Sequence, residues 1–541
     1  MPTSTRARAS AAGWLIAALV LVAAGWVAFA QPPETAEARV YVEGVVGRID
    51  RINPLFAARG SPDADLATLV FAGLTRPGRD GLPEPDLAER WEITPDALTY
   101  TFTLREGLFW HDGAPVTAED VAFTVRTVQA EDFRGPPELA AAWAGVTTAV
   151  VDERTVIFRL PARASSFLAR AALGIVPRHL LEGLSANELF EAPFNRRPVG
   201  SGPFILEAVD GEGARLAPNP SYDRGPPRLA GIELRTYVDE RALATALASG
   251  EVDAAMLPDA PSTELRAAVD ARTDLEATLW PLSGYDVLYL NTQRDPFGDA
   301  RVREAIARAL DPTAINHDVY GGRGVPASTP ISSFSWAWPP MIDPGVLGPM
   351  PDLAASLLDA AGWERVGDGV RIRDGTRLAV ELATNADPGR EAAAAVIASQ
   401  LAQAGIEVSV EILPSAPLLG QRLEPRDFDM ALFGWDEGID PDPYGAWHTS
   451  QLVLPGRNFA GLTDPELDAL LEVARGTLDL EERIDLYARF RTRFLALTPS
   501  VVLRFPALEY VQPAALVTTE PRLLVTPAAR LLDARNWRYV E

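Results

Sequence analysis

The sequence predicts an α/β protein of two or three domains. Three observations carry this. The chain has 541 residues, more than one ordinary core accommodates. Hydrophobic residues make up 47% and charged residues 23%, a globular balance rather than a disordered one. Segments of helical repeat alternate with segments of period two, the pattern of lobes built on partly parallel sheets.

Arg6 and Arg8 precede an almost wholly apolar run at 11–30, which ends Ala28-Phe29-Ala30 just before Gln31 and Pro32. Basic residues, an apolar run and a small-x-small end predict an export signal. At about 1.5 Å per residue the same run is long enough to span a bilayer as an uncleaved anchor. Cleavage and retention both stay open, and both place the rest of the chain outside the cytoplasm. Residues 31–38 read as polar linker, 39–49 as a strand, and Asn53-Pro54 as a turn. Residues 66–74 are helix-like. The alternation in LTYTFTL (98–104) predicts a strand, and Gly107 and Asp112-Gly113 supply turns. Thr117 can cap a helix whose first turn carries Asp120 and whose stripe is Val121, Val125 and Val128. Residues 148–160 read as a strand pair and 165–173 as helix.

Further on, Asp299 can cap an amphipathic helix over 300–310. Residues 389–404 form a helix that Gly405 ends, and 407–413 follow as an alternating strand. Thr463-Asp464-Pro465-Glu466 reads as a capping box before Leu467, Leu470, Leu471 and Ala474.

The stretch richest in chemistry is DFDMALFGWDEGIDPDPYGAWH at 427–448. It opens as a strand and breaks into a loop that Pro441 and Pro443 hold out of helix and central sheet. Asp436, Glu437, Asp440 and Asp442 lie beside Trp435, Tyr444 and Trp447. Acid beside aromatic at a strand end suits a pocket for an amine-bearing ligand, the carboxylates supplying charge and the rings dry, flat walls. An acidic surface loop carrying core tryptophans would show the same composition.

Net charge is −25, from 74 acids against 49 bases, and every base is arginine. Such an excess argues against nucleic acid and anionic membrane surfaces as partners. There is no cysteine, which removes disulfides, thiol nucleophiles, Cys-held metals and a lipoprotein cleavage site. His111, His179, His317 and His448 are far apart and show no metal-ligand spacing, so no metal or cofactor is expected. A hydrolase would need a nucleophile elbow or a matched acid pair. No GxSxG is present, and the nearest approach to an acid pair is Asp440 and Asp442 on a Pro-rich loop.

Several stretches together resemble one known family. LREGLFWHDGAPVTAEDV (104–121) resembles the signature of the family 5 extracellular solute-binding proteins, the peptide, dipeptide and nickel receptors of bacterial ABC importers. PVGSGPFILEAVDGEGARLAPNPSY (198–222), ASGEVD (248–253), YLNTQRDPFGDARVREAIARALD (289–311), LAASLLDAAGW (353–363) and the run at 458–468 are similar to later family segments, in family order.

The resemblance implies a two-lobed periplasmic-binding-protein fold (type II, cluster C) with a small domain inserted in the first lobe. Lobe one would combine 36–71, 198–288 and 504–541, the small domain 72–197, and lobe two 289–503, after a signal peptide or anchor at 1–30. It also implies a monomeric receptor in the periplasm or on the outer face of the cytoplasmic membrane. That receptor would close on a peptide or similar small polar solute and deliver it to separate permease and ATPase subunits. A membrane-anchored sensor of the same fold is the alternative. In peptide-binding members an Asp just after the Gly-Trp of lobe two holds the ligand ammonium. Here Gly434-Trp435 and Asp440-Pro441 match, but the spacing is one residue short, which leaves Asp436 and Glu437 as candidates. Trp435, Tyr444, Trp447 and Trp336 or Trp338 are aromatic candidates, Arg303 is a candidate carboxylate clamp, and Tyr289 and Asn291 are expected at the hinge crossing. His111 is expected to be structural.

Overall fold

A computed structural model describes residues 39–338, 348–435, 438, 440–454 and 456–540. The apolar run at 11–30 lies outside the described residues. Among the described residues no helix is long and apolar enough to cross a membrane.

Two large sheets organise the chain. The first has seven strands, in the order Leu275–Pro281, Ala507–Pro513, Ala254–Leu257, Val40–Val46, Gly231–Tyr237, Gly213–Pro218, Phe204–Val209. Val40–Val46 runs parallel to both of its neighbours, and the remaining pairings are antiparallel. The second has six, in the order Val325–Pro326, Ser500–Phe505, Tyr285–Leu290, Met430–Trp435, Ala379–Asn385, Glu407–Leu413. Helix Pro388–Gln403 joins the parallel neighbours Ala379–Asn385 and Glu407–Leu413, the crossover that parallel pairing requires. Between the first two pieces of lobe one sits a four-stranded antiparallel sheet, Ala88–Ile93, Thr99–Leu104, Thr155–Arg159, Thr147–Asp152.

The caps explain several boundaries. Asp120 Oδ2 accepts from Thr117 N at 2.8 Å, and its Oδ1 accepts from Arg178 N at 2.8 Å. One buried carboxylate therefore starts helix Ala118–Val128 and fastens it to the next segment. Helix Pro465–Gly476 begins one residue later than the sequence suggests. Asp464, not Thr463, is its cap, accepting from Leu467 N at 2.8 Å, because Pro465 fits the first helical position, where no N–H is needed. The expected helix at 165–173 shortens to Phe167–Arg170. Ala171 O accepts from Leu74 N and Thr75 N, at 3.0 and 3.2 Å, and so is lost to helix propagation. The loop after Trp435 also departs from expectation. Pro443 does not exclude helix but immediately precedes the short helix Tyr444–Trp447.

The chain passes between the two large sheets at 282–284 and again at Pro506. The first crossing falls earlier than the 288/289 boundary expected, because Tyr285–Leu290 pairs along its whole length with Met430–Trp435 inside the second sheet. Tyr289 and Asn291 are therefore not hinge residues. Ion pairs flank the crossings. Arg504, fully buried, donates from Nε to Asp286 Oδ2 at 2.8 Å and reaches Asp259 of lobe one. Arg323 of lobe two donates from Nε to Glu509 Oε2 of lobe one at 2.7 Å.

Burial separates the lobes. One apolar cluster runs from Tyr41 and Leu234 of lobe one into Tyr100, Trp143 and Phe167 of the small domain. Lobe two has its own clusters on the two faces of its sheet, around Tyr289 and Trp447 on one and Leu288 and Ile397 on the other. The small domain is thus fused to lobe one by a shared core.

The signature turn Trp110-His111-Asp112-Gly113 serves that fusion. His111 N donates to Gly200 O at 2.8 Å. The ring accepts from Gly200 N at Nδ1 (3.3 Å) and meets Gly202 O with Nε2 (3.0 Å). This pattern needs a neutral ring with its proton on Nε2. Burial depresses the His111 pKa below its ordinary 6.5, with the Gly202 contact and Asp112 opposing. The resulting stability is fully present above 6.5 and is lost as pH falls through the depressed value. Thermal melts of wild type are accordingly expected to drop more steeply below pH 6.5 than those of His111→Gln, and parallel profiles would refute this role for the ring.

Candidate functional site

A cleft of about 590 Å³ lies where lobe one, the small domain and lobe two meet. Lobe one contributes Arg59, Thr68 and Val525, the small domain Ser166, Ala169 and Arg170, and lobe two Trp435, Asp440, Asp442, Arg457 and Arg475. Trp435 ends the interior strand Met430–Trp435 and lines the cleft at the strand's carboxyl end. This is the usual location for binding sites in open α/β sheets. One backbone bond spans the cleft edge, from Ser165 N of the small domain to Arg475 O of lobe two, at 2.9 Å.

Both carboxylates on the described wall are engaged. Asp440 takes a two-pronged contact from Arg483, at 2.7 and 3.0 Å, and Arg483 also donates to Tyr487 Oη at 2.9 Å. Burial opposes the charge on Arg483, but the adjacent Asp440 outweighs it and raises the guanidinium pKa. Asp442 Oδ2 accepts from Arg475 Nε at 2.7 Å, and its Oδ1 accepts from Tyr444 N at 3.1 Å. These pairs shape the wall rather than present bare negative charge to a ligand. Within the loop Asp440–Pro443, Asp442 N also donates to Asp440 O at 2.8 Å.

The cations of the wall are placed differently. Arg457 stacks over the Trp435 ring, 4.5 Å from its centroid. Arg170 donates to Ala142 O at 3.0 Å and contacts Ser166 Oγ at 3.4 Å. Burial, and then the like charge of Arg475, pull the Arg170 pKa below its ordinary value, with Asp442 and Asp440 opposing.

The sequence-predicted residues divide. Trp435 and Asp440 lie on the cleft wall. Tyr444 stands beside it, stacked on His448 at 4.1 Å and covered by Arg475 at 3.8 Å. Trp336 lines a smaller neighbouring cavity with Asp440 and Arg483, and Arg483 sits 4.7 Å over its ring. Trp338 is buried against Arg491, 4.0 Å over its ring.

Trp447 and Tyr289 are core instead. Both are fully buried, 6.0 Å apart, because the strand period turns Tyr289 inward and helix Tyr444–Trp447 presses Trp447 onto Phe494. Asn291 is consumed by the backbone, donating to Arg426 O and Phe428 O at 2.9 Å each. Arg303 is no clamp. It is buried and donates to Phe297 O, Leu497 O and Thr498 O, which closes a helix end. Asp436 and Glu437 lie outside the described residues. Sequence reasoning missed Arg59, Arg170, Arg457 and Arg475. They come from four distant segments, and no local pattern marks them.

The model for bacterial extracellular solute-binding proteins, family 5 Middle, matches residues 83–452. Protein XP55 of Streptomyces lividans is 31% identical over 505 residues, covering 89% of this chain and 87% of that protein. The oligopeptide-binding protein AppA of Bacillus subtilis is 29% identical over 475 residues, 86% of each chain. Its solved structure in complex with a nonapeptide superposes with a TM-score of 0.72, covering 93% of this chain and 100% of that one at 26% identity.

Proposed function

Because this chain belongs to the family 5 bacterial extracellular solute-binding proteins, we propose that it is the extracytoplasmic receptor of an ABC importer. In this reading it captures a peptide or similar small polar solute between its lobes and hands it to a permease. The observation that carries the reading is the cleft itself, walled by both lobes and the small domain around Trp435. Lobe one and the small domain move as a body because they share a core. Lobe two swings about the crossings at 282–284 and Pro506. A ligand touching both bodies has more contacts in the closed form than in the open one, and only that difference can drive closure.

Trp435 supplies a flat wall, and Asp436 or Glu437 receives a ligand ammonium. The role is binding, not catalysis. The chain would act in the periplasm or on the outer face of the cytoplasmic membrane, as a monomer, with permease and ATPase as separate subunits. Native mass spectrometry of the gently purified protein is the test. The expected spectrum carries a ladder of adducts at peptide masses, lost on denaturation. One discrete non-peptide adduct would replace the peptide assignment. No adduct, together with no thermal shift from any peptide added at millimolar concentration, would overturn it.

A further inference from the structure

A hairpin of the small domain reaches lobe two with its tip. Its strands Thr75–Pro77 and Pro83–Pro85 pair antiparallel, and the turn between them carries Leu82. Leu82 is half-buried and packs against the apolar cluster of lobe two around Tyr289 and Trp447. Beside it lies a cavity of about 270 Å³, lined by Gly81, Leu82 and Ser165 from the small domain and by Trp336, Leu480 and Arg483 from lobe two. Leu82 is not part of the wall of the ligand cleft.

The hairpin is fastened to the body that carries it. At its base Thr75 Oγ1 donates to Leu168 O at 2.7 Å. At its tip Arg79 donates from Nε and Nη2 to Glu520 O, at 3.3 and 3.1 Å, and Arg79 O accepts from Arg522 N at 2.9 Å. Glu520 and Arg522 belong to the last segment of lobe one, so the tip is tied to that lobe as well. The turn is set by Gly78 N donating to Leu82 O at 2.8 Å and Leu82 N donating to Asp80 Oδ1 at 3.0 Å. Gly81 sits at φ +84°, a left-handed backbone in which a side chain would be strained. Leu82 is thus held out from one moving body and presented to the other.

This contact exists only while the small domain and lobe two are together. Separating them returns Leu82 and its partners to water, a penalty that grows with the apolar area exposed. A half-buried leucine gives a modest bias, enough to favour the closed form and weak enough for the lobes to reopen and release cargo. We propose that Leu82 is a latch, which sets the balance between open and closed lobes, and with it the receptor's affinity, without touching the ligand. The latch rests on the hinged-receptor reading above.

The chain has no cysteine, so spin labels go only where a cysteine is introduced. Two pairs report lobe separation in the full chain, Val151→Cys with Val410→Cys and Val238→Cys with Val473→Cys, all at exposed positions. Pulsed electron paramagnetic resonance of the ligand-free protein is expected to show a short and a long distance. Leu82→Ala and, from the other side of the contact, Leu480→Ala should each lower the short-to-long ratio about five- to ten-fold with Tm nearly unchanged. Leu82→Met, which keeps the volume, should preserve the ratio. A ratio unchanged by both alanine substitutions, or a chain wholly open before substitution, would overturn the latch. Ala-Ala-Ala at millimolar concentration separates the latch from the reading it rests on. A shift to the short distance on adding the peptide, with none from the substitutions, keeps the receptor and removes the latch. A shift from the substitutions, with none from the peptide, keeps the latch and counts against a peptide ligand.

Discussion

Replacing Arg530 by methionine is expected to destabilise the protein by about 3–5 kcal/mol, the usual loss when one partner of a buried ion cluster is removed. Arg530 is 0% exposed, as is Glu43, and Asp65 is nearly so. All five of its N–H groups are used. Nε and Nη2 reach Glu43 Oε1 at 3.1 and 2.6 Å, Nη1 and Nη2 reach Asp65 at 2.6 and 2.7 Å, and Nη1 also donates to Pro527 O at 3.0 Å. Tyr510 and Tyr41 donate to the other Glu43 oxygen at 2.8 and 3.0 Å. Without the guanidinium, two carboxylates would remain in a dry core. Chemical denaturation should show the loss, and Arg530→Met combined with Glu43→Leu and Asp65→Leu should recover most of it, because no charge is then left unpaired. A loss under about 1 kcal/mol in the single variant would mean that water reaches the cluster.

Asp440→Ala should cost a similar amount, about 3–5 kcal/mol, by stranding Arg483. The two side chains are only 10% and 6% exposed. The experiment also decides what Asp440 is for. As a wall-shaping residue, its loss lowers Tm and weakens binding together, and Arg483→Met restores stability in the double variant. Were Asp440 instead the direct partner of a ligand ammonium, Asp440→Asn would abolish binding at unchanged Tm. Thermal melts and calorimetry on the same samples distinguish the two outcomes.

The predictions share one cause, the placement of arginine. With no lysine in the chain, every internal carboxylate that needs a cation meets a planar five-donor group. Arg483, Arg504 and Arg530 each knit segments that are far apart in sequence. Arg303, the candidate carboxylate clamp, is used in the same way on backbone carbonyls.

Local rules in the sequence determined much of the fold. The period-two runs at Thr99–Leu104 and Glu407–Leu413, the helix Ala300–Ala309 capped by Asp299 and the capping box at Thr117 were all legible, because each depends on residues within one or two turns. Trp435 at a strand end beside Asp440 was legible as well, since both lie in one short stretch. Only the tertiary structure decided which side chains face the cleft. Periodicity shows that Tyr289 and Trp447 have an apolar environment but not that they face each other, which makes them core. It shows that 427–448 is acidic but not that arginines from two helices neutralise Asp440 and Asp442. Charge pairing acts through space over a few ångströms, whereas its partners are separated by tens to hundreds of residues, so the electrostatics of this cleft exist only once the lobes are folded.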